Sequence, residues 1–233
     1  ADAVRYAGVN AGSETFQPMD CLFDSERCLR QGALALLLPP RRVLLEHGYP
    51  TPGQVHSATS TVGNRIISID WRPAFSVYQE LIGSRFGVAL TPENFYQYAC
   101  HFPFGILRAD GSVVIRIPVA LTEDGSLFCV GEVPANAVLV LLQAPSAEQC
   151  DCVPRLSRAL GRLDGQALLT FYCAGRRMHM GEACNREIAA LQQETGAACL
   201  AGALTLGEIG TGCDWGYPLF HNATLVCLPW TTA

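Results

Sequence analysis

The residues best placed to do chemistry lie in three stretches after Gln166. Tyr172-Cys173-Ala174-Gly175-Arg176-Arg177 follows an apolar run. Gly202-Ala203-Leu204-Thr205-Leu206-Gly207-Glu208-Ile209-Gly210 follows a second, and His221-Asn222-Ala223-Thr224 precedes a third. An arginine at the carboxyl end of a strand can hold a carboxylate or phosphate with two parallel hydrogen bonds. Glu208 supplies the opposite charge, Asn222 and Thr224 supply neutral partners, and glycine lets backbone approach backbone or ligand closely. Cys173, Gly175, Arg176, Gly202, Gly207, Glu208, Asn222 and Thr224 therefore form a candidate ligand-binding set. A guanidinium and a carboxylate facing one glycine-lined gap suit a zwitterion such as an amino acid. The plainer alternative is an Arg176–Glu208 bridge that only holds the fold. On the ligand reading Arg176→Ala abolishes a ligand response and leaves the ligand-free melting point almost unchanged. On the structural reading it costs stability.

Other constellations carry less. Cys173 is a nucleophile only if His179 or His221 is its base with Glu208 orienting that base, and free cysteine is more often a buried small hydrophobe. No catalytic residue is assigned, and a non-enzyme is expected. Gly207 to Gly212 resembles a nucleotide-binding loop, but the residues after it read as loop rather than helix, so the phosphate-cradling mechanism is missing. Cys150-Asp151-Cys152 is an isolated pair, and none of the five histidines is paired at i,i+4; no metal is assigned. All 16 basic residues are arginine, which rules out lysine chemistry, and they are scattered on a chain of formal net charge -5. Nucleic acid is excluded as a partner on that footing. No apolar run reaches the roughly 18 residues of a membrane helix. Hydrophobic residues make up 49% and charged residues 16%, which excludes disorder. Most of the 11 cysteines sit in apolar settings, which places the chain in a reducing, cytoplasmic compartment. Cys150 and Cys152, in a polar stretch, are expected to react first with a thiol reagent.

The elements that must position these residues follow from periodicity. Strands are expected over 33–38, 43–47 and 65–69. A helix begins near Pro73 with Phe75, Tyr78 and Ile82 on one stripe and Gly83 as its stop, and Thr91-Pro92-Glu93 caps a second. Runs 104–109, 112–120 and 126–130, joined at Asp110-Gly111 and Asp124-Gly125, predict an antiparallel meander with type I′ turns. Strand 137–142, a helix carrying Leu156, Leu160 and Leu163, and strand 166–173 follow. A helix over 181–194 with Cys184, Ile188, Leu191 and Thr195 inward comes next, then strands 199–206 and 223–228. The expected class is α+β: a mixed β-sheet with an antiparallel meander followed by a β-α-β-α-β-β unit.

Several of these motifs, in order, resemble the C-terminal domain of the FIST family. They are His101-Phe102-Pro103-Phe104-Gly105, Arg116-Ile117-Pro118, Glu123-Asp124-Gly125-Ser126-Leu127, Gly131-Glu132-Val133-Pro134, Cys173-Ala174-Gly175-Arg176, Gly202, Gly207-Glu208-Ile209 and Asn222-Ala223-Thr224. Residues 1–72 resemble the end of the companion FIST N-terminal domain. There Tyr6-Ala7-Gly8-Val9-Asn10-Ala11-Gly12 is followed by Ser13 where that domain has an acid. The resemblance implies a division at 1–72 and 73–233. It implies an intracellular, non-catalytic sensory module that binds a small molecule such as an amino acid and reports to a signalling output domain or partner protein. It leaves two alternatives, a haem-binding nitric-oxide sensor and a protein-interaction platform of the F-box type. Most of the companion domain lies outside this sequence, so an exposed apolar patch is expected, covered by self-association or by an intimate contact with the rest of that domain.

Overall fold

The computed structural model describes residues 4–13, 15, 17–50, 53–211 and 217–230. The chain opens with β1 (Ala7–Val9), the small hairpin of β2 (Leu22–Phe23) and β3 (Cys28–Leu29), and β4 (Leu44–Glu46). The run 33–38 is not a strand. Leu34, Leu36 and Leu37 are exposed, and among the described residues no strand pairs with the run. Strand propensity is mostly packing against neighbours, and this run has none.

Gly48–Cys150 together with Met178–Met180 forms one compact unit. It contains β5 (His56–Ser57), β6 (Ser60–Val62), β7 (Arg65–Ile69), β8 (Arg72–Pro73), α1 (Ala74–Phe86) and α2 (Phe95–Ala99). It continues with β9 (Phe104–Leu107), β10 (Val113–Arg116), β11 (Pro118–Leu121), β12 (Leu127–Cys129) and β13 (Val138–Leu141). The expected stripe on α1 is buried, but Gly83 does not end the helix; the stop is Gly87, left-handed at φ 68. One interior glycine costs only about 1 kcal/mol, which the packing of Val77, Leu81 and Ile82 exceeds. α2 starts at Phe95 because Thr91 and Asn94 close a turn on each other first, with the Thr91 N–H 2.7 Å from Asn94 Oδ1.

Both Asp-Gly turns form, but only Gly111 (φ 81) and Gly125 (φ 78) have positive φ, so neither turn is type I′. They are the longer glycine-ended loops that come next in frequency. The run 112–120 breaks at Ile117-Pro118, where proline offers no N–H to a ladder. The meander is thereby divided: β10 joins the sheet β10-β9-β13-β5, and β11 joins the sheet β11-β12-β7-β6.

Ala1–His47, Asp151–Arg177 and Gly181–Ala233 form the other compact unit. After β4 it adds α3 (Cys152–Leu160), β14 (Ala167–Cys173), residues 174–177 of α4 (Ala174–Met180), α5 (Ala183–Thr195) and β15 (Leu200–Thr205). β16 (Glu208–Gly210), β17 (Leu219–His221) and β18 (Leu225–Trp230) complete it. One sheet runs β15-β14-β18-β4 and a smaller one β1-β16-β17. β14 is parallel to β15 and antiparallel to β18, so the larger sheet is mixed. α3 lies against α5 and β4, while β16 lies against β18 and β14. The class is α+β, with α4, β16 and β17 added to the expected order. The compact units part at 47/48, 150/151, 177/178 and 180/181.

Candidate functional site

The carboxyl end of β14 gathers Arg176, Thr205, Glu208, Asn222 and Thr224, five of the buried polar residues of its unit. Successive strand residues point to opposite faces, and the last two of β14 show it. The Tyr172 hydroxyl donates to Glu187 Oε2 of α5 at 2.6 Å. Cys173, pointing the other way, donates its thiol proton to Glu208 of β16. The chain passes from Cys173 straight into α4, which puts Gly175 and Arg176 in the first turn.

Arg176 is 1% exposed and fully engaged. Its Nε and Nη2 donate to Glu187 at 2.9 and 2.5 Å. Its Nη1 donates to the carbonyls of His47 at 2.7 Å and Ala223 at 3.2 Å. This is the two-pronged carboxylate geometry expected of the site, but the carboxylate is Glu187 rather than Glu208. The structure therefore does not bring Arg176 and Glu208 to one gap. Glu187 is legible in hindsight: it sits three residues after Cys184 on a helix whose inward stripe includes that cysteine, so it faces the strand.

Glu208 is wholly buried, with no cation beside it among the described residues. Its Oε1 lies 2.5 Å from Thr205 Oγ1, and its Oε2 lies 2.5 Å from Thr224 Oγ1 and 3.4 Å from the Thr224 N–H. Burial pushes its carboxyl up to about 7, against the pull of those hydrogen bonds. The geometry says the same independently. The Thr205 hydroxyl lies near two acceptors, Glu208 Oε1 and the Tyr172 carbonyl at 3.2 Å, and it has one proton. Both contacts become good if Glu208 carries a proton on Oε1. Glu208 then donates to Thr205, and Thr205 donates to Tyr172.

The remaining set surrounds these two centres. Asn222 Nδ2 donates to the His221 carbonyl at 3.0 Å, and Asn222 and Thr224 are buried. Ala223 between them is left-handed, φ 57; its N–H and those of Gly175 and Arg176 are directed at the Cys173 sulfur. Burial, and the charge of Glu208, push the Cys173 thiol up to about 12. Its proton acceptor is Glu208, not a histidine. His221 Nε2 donates to the Gly210 carbonyl at 3.3 Å. His179 lies in the other compact unit, with Nε2 on the Pro145 carbonyl and Nδ1 2.6 Å from His101 Nδ1. Burial, and the Arg155 and Arg176 charges, push His47 down to about 4.

The two glycines have their space taken by the chain itself. A Cβ on Gly202 would stand 1.7 Å from the Thr170 carbonyl oxygen, and one on Gly207 would stand 2.0 Å from the Phe220 ring. The loop reading at 212–218 lies largely outside the described residues. Among the described residues no group of three or more His, Cys, Asp or Glu could hold a metal, and no helix is long and apolar enough to cross a membrane. Thr205 and His47 were not singled out from sequence. Thr205 could have been, since it is opposite Cys173 in the parallel register.

The fold is thus a mixed-sheet α+β domain with a buried charged cluster at a strand's carboxyl end. The family model of the FIST C domain matches residues 74–211, more than half of the chain, and the chain belongs to the FIST domain family. Domains of this kind are sensory, signal-transduction modules. The matched span includes Cys173, Gly175, Arg176, Glu187, Gly202, Gly207 and Glu208. Neither a curated protein nor a solved structure matches the chain.

Proposed function

We propose that the chain is a cytoplasmic, non-catalytic sensory module that binds a small zwitterion, of the amino-acid class, at the end of β14 and passes the signal to an output domain or partner protein. The observation that carries this reading is the Arg176–Glu187 pair. A buried guanidinium and a carboxylate whose side chain is 10% exposed meet at the carboxyl end of a parallel strand, where ligands of crossover sheets bind. A zwitterion offers each member of that pair its opposite charge, the ligand carboxylate to Arg176 and the ligand ammonium to Glu187. Asn222, Thr224 and Glu208 line the neighbouring polar cluster, and Gly175 leaves the turn without a side chain.

Thermal unfolding with a panel of free amino acids tests it. A binder at a hundred times its Kd stabilises by about 2.7 kcal/mol, which raises the melting point of a domain this size by roughly 5–10 °C. The shift should vanish in Glu187→Gln and shrink in Tyr172→Phe, which removes one hydrogen bond from Glu187 and leaves the ion pair. Shifts that survive both substitutions, or no shift with any amino acid, would refute the site.

A further inference from the structure

β15 is the outer strand of its sheet. The Leu168 N–H bonds the Cys199 carbonyl, so the odd-numbered residues turn their backbone groups to β14. Leu200, Gly202 and Leu204 turn theirs outward. The next outward group, the Leu206 N–H, is taken by the Asn10 carbonyl at 3.3 Å, which marks where the open edge stops. Among the described residues nothing pairs with the edge before that point. Residues 201–204 are exposed in succession, on both faces of the strand, and Leu204 is 60% exposed.

Exposed edges are ordinarily guarded by lysine, proline, an inward charge or a covering segment. Leu200–Thr205 has no charged residue and no proline. What it has is symmetry: Leu200-Ala201-Gly202-Ala203-Leu204 reads the same in both directions. A two-fold interface sets residue i against j and j against i. An antiparallel pair of two such strands centred on Gly202 sets Gly202 against Gly202, Ala201 against Ala203 and Leu200 against Leu204. The register falls correctly as well. The residues facing each other in the hydrogen-bonded positions are Leu200, Gly202 and Leu204, the ones whose N–H and C=O turn outward. The chain's net charge of -5 opposes association in general, but no like charges meet across this strand pair.

We propose that the outer edge of β15 pairs with the same edge of a second copy of this chain, antiparallel about Gly202, joining two four-stranded sheets into one. A single strand pair is smaller than the roughly 800 Å² per partner of a standard interface, so the dimer exchanges with monomer and its population follows concentration.

Sedimentation velocity across a concentration series, in reducing buffer because Cys199 is exposed beside the strand, should show monomer passing into dimer. Hydrogen exchange on the same samples should find the amides of Leu200, Gly202 and Leu204 slowed about tenfold or more at high concentration, with those of Ala201 and Ala203 unchanged. Leu204→Lys places a charge at the edge on an already exposed position, and should give monomer at every concentration with an unchanged melting point. A wild-type monomer throughout, a dimer whose three edge amides stay unprotected, or an L204K protein that dimerises as before would each overturn the proposal.

Discussion

Glu208→Gln should unmask a rise of stability with pH that Glu208 offsets in wild type. In the folded chain the Glu208 carboxyl sits at about 7, against an ordinary value of 4.5. Between those values the folded state holds a proton that the unfolded state has released, so stability falls as pH rises through that window. Each tenfold change in proton affinity is worth about 1.4 kcal/mol, so the loss above neutrality is on the order of 3 kcal/mol. His47 acts in the opposite sense. Its imidazole sits at about 4 in the fold against an ordinary 6.5. The unfolded chain binds a proton there that the folded chain refuses, so stability rises with pH through that window. The two slopes oppose each other in wild type over the pH range they share. Glutamine keeps the carbonyl that accepts from Thr224 and Cys173, and its amide can donate to Thr205 as the protonated acid does. Urea unfolding from about pH 5 to pH 8, with the variant curve subtracted from wild type, isolates Glu208, since every other group cancels. The two proteins should be nearly equal at the acid end. The variant should be more stable by on the order of 3 kcal/mol at the alkaline end, and its own stability should climb and then level off. Parallel profiles, or a variant weaker than wild type at every pH, would refute the protonated-Glu208 reasoning.

Arg176→Met should cost roughly 3–5 kcal/mol in urea unfolding, since it strands Glu187 in the interior, and adding Glu187→Leu should recover much of the loss. Gly202→Ala should lower the melting point by several degrees, because its Cβ would collide with the Thr170 carbonyl and its φ is 155; a neutral result would show that the strands can part. Native-state labelling should reach Cys28 and Cys199, which are exposed, before half-buried Cys21 and Cys150, and should reach Cys152 only on unfolding. That order departs from the Cys150–Cys152 pair expected from polarity, because Cys152 is the first residue of α3 and its sulfur lies 3.5 Å from the Glu46 carbonyl. Mass spectrometry of a timed reaction reads the order directly.

What was legible in the sequence is what depends on local period and on the family's motif order. The inward stripes of α1 and α5 and the long strand ending at Cys173 follow from spacing alone. Strand pairing does not follow from local period. Residues 33–38 have the composition of a strand, but pairing is a property of two segments, and the run supplies one. The 112–120 run has uniform hydrophobicity, yet Pro118 hands its two halves to different sheets.

The candidate site failed and succeeded for one reason. Strand alternation fixes which way Tyr172 and Cys173 point, but Arg176 is a helix residue three positions on, and its direction is set by the turn rather than by the strand. It swings to the side of Tyr172, where α5 presents Glu187, while Glu208 approaches from β16 on the side of Cys173. Two ionisable groups that sequence sets close together are thereby given separate fates. One is neutralised by a partner carboxylate, and the other by holding its proton among hydroxyls and a thiol. On the proposed function the charged pair would answer to a competing zwitterion, while the proton-bearing acid at the same strand end answers to pH. Arg176→Ala was expected from sequence to spare the ligand-free fold if the site binds ligand. Arg176 holds Glu187 and two backbone carbonyls together, so Arg176→Ala costs stability whether or not the site binds a ligand. Only the amino-acid shift, present in wild type and absent in Glu187→Gln, separates the two readings.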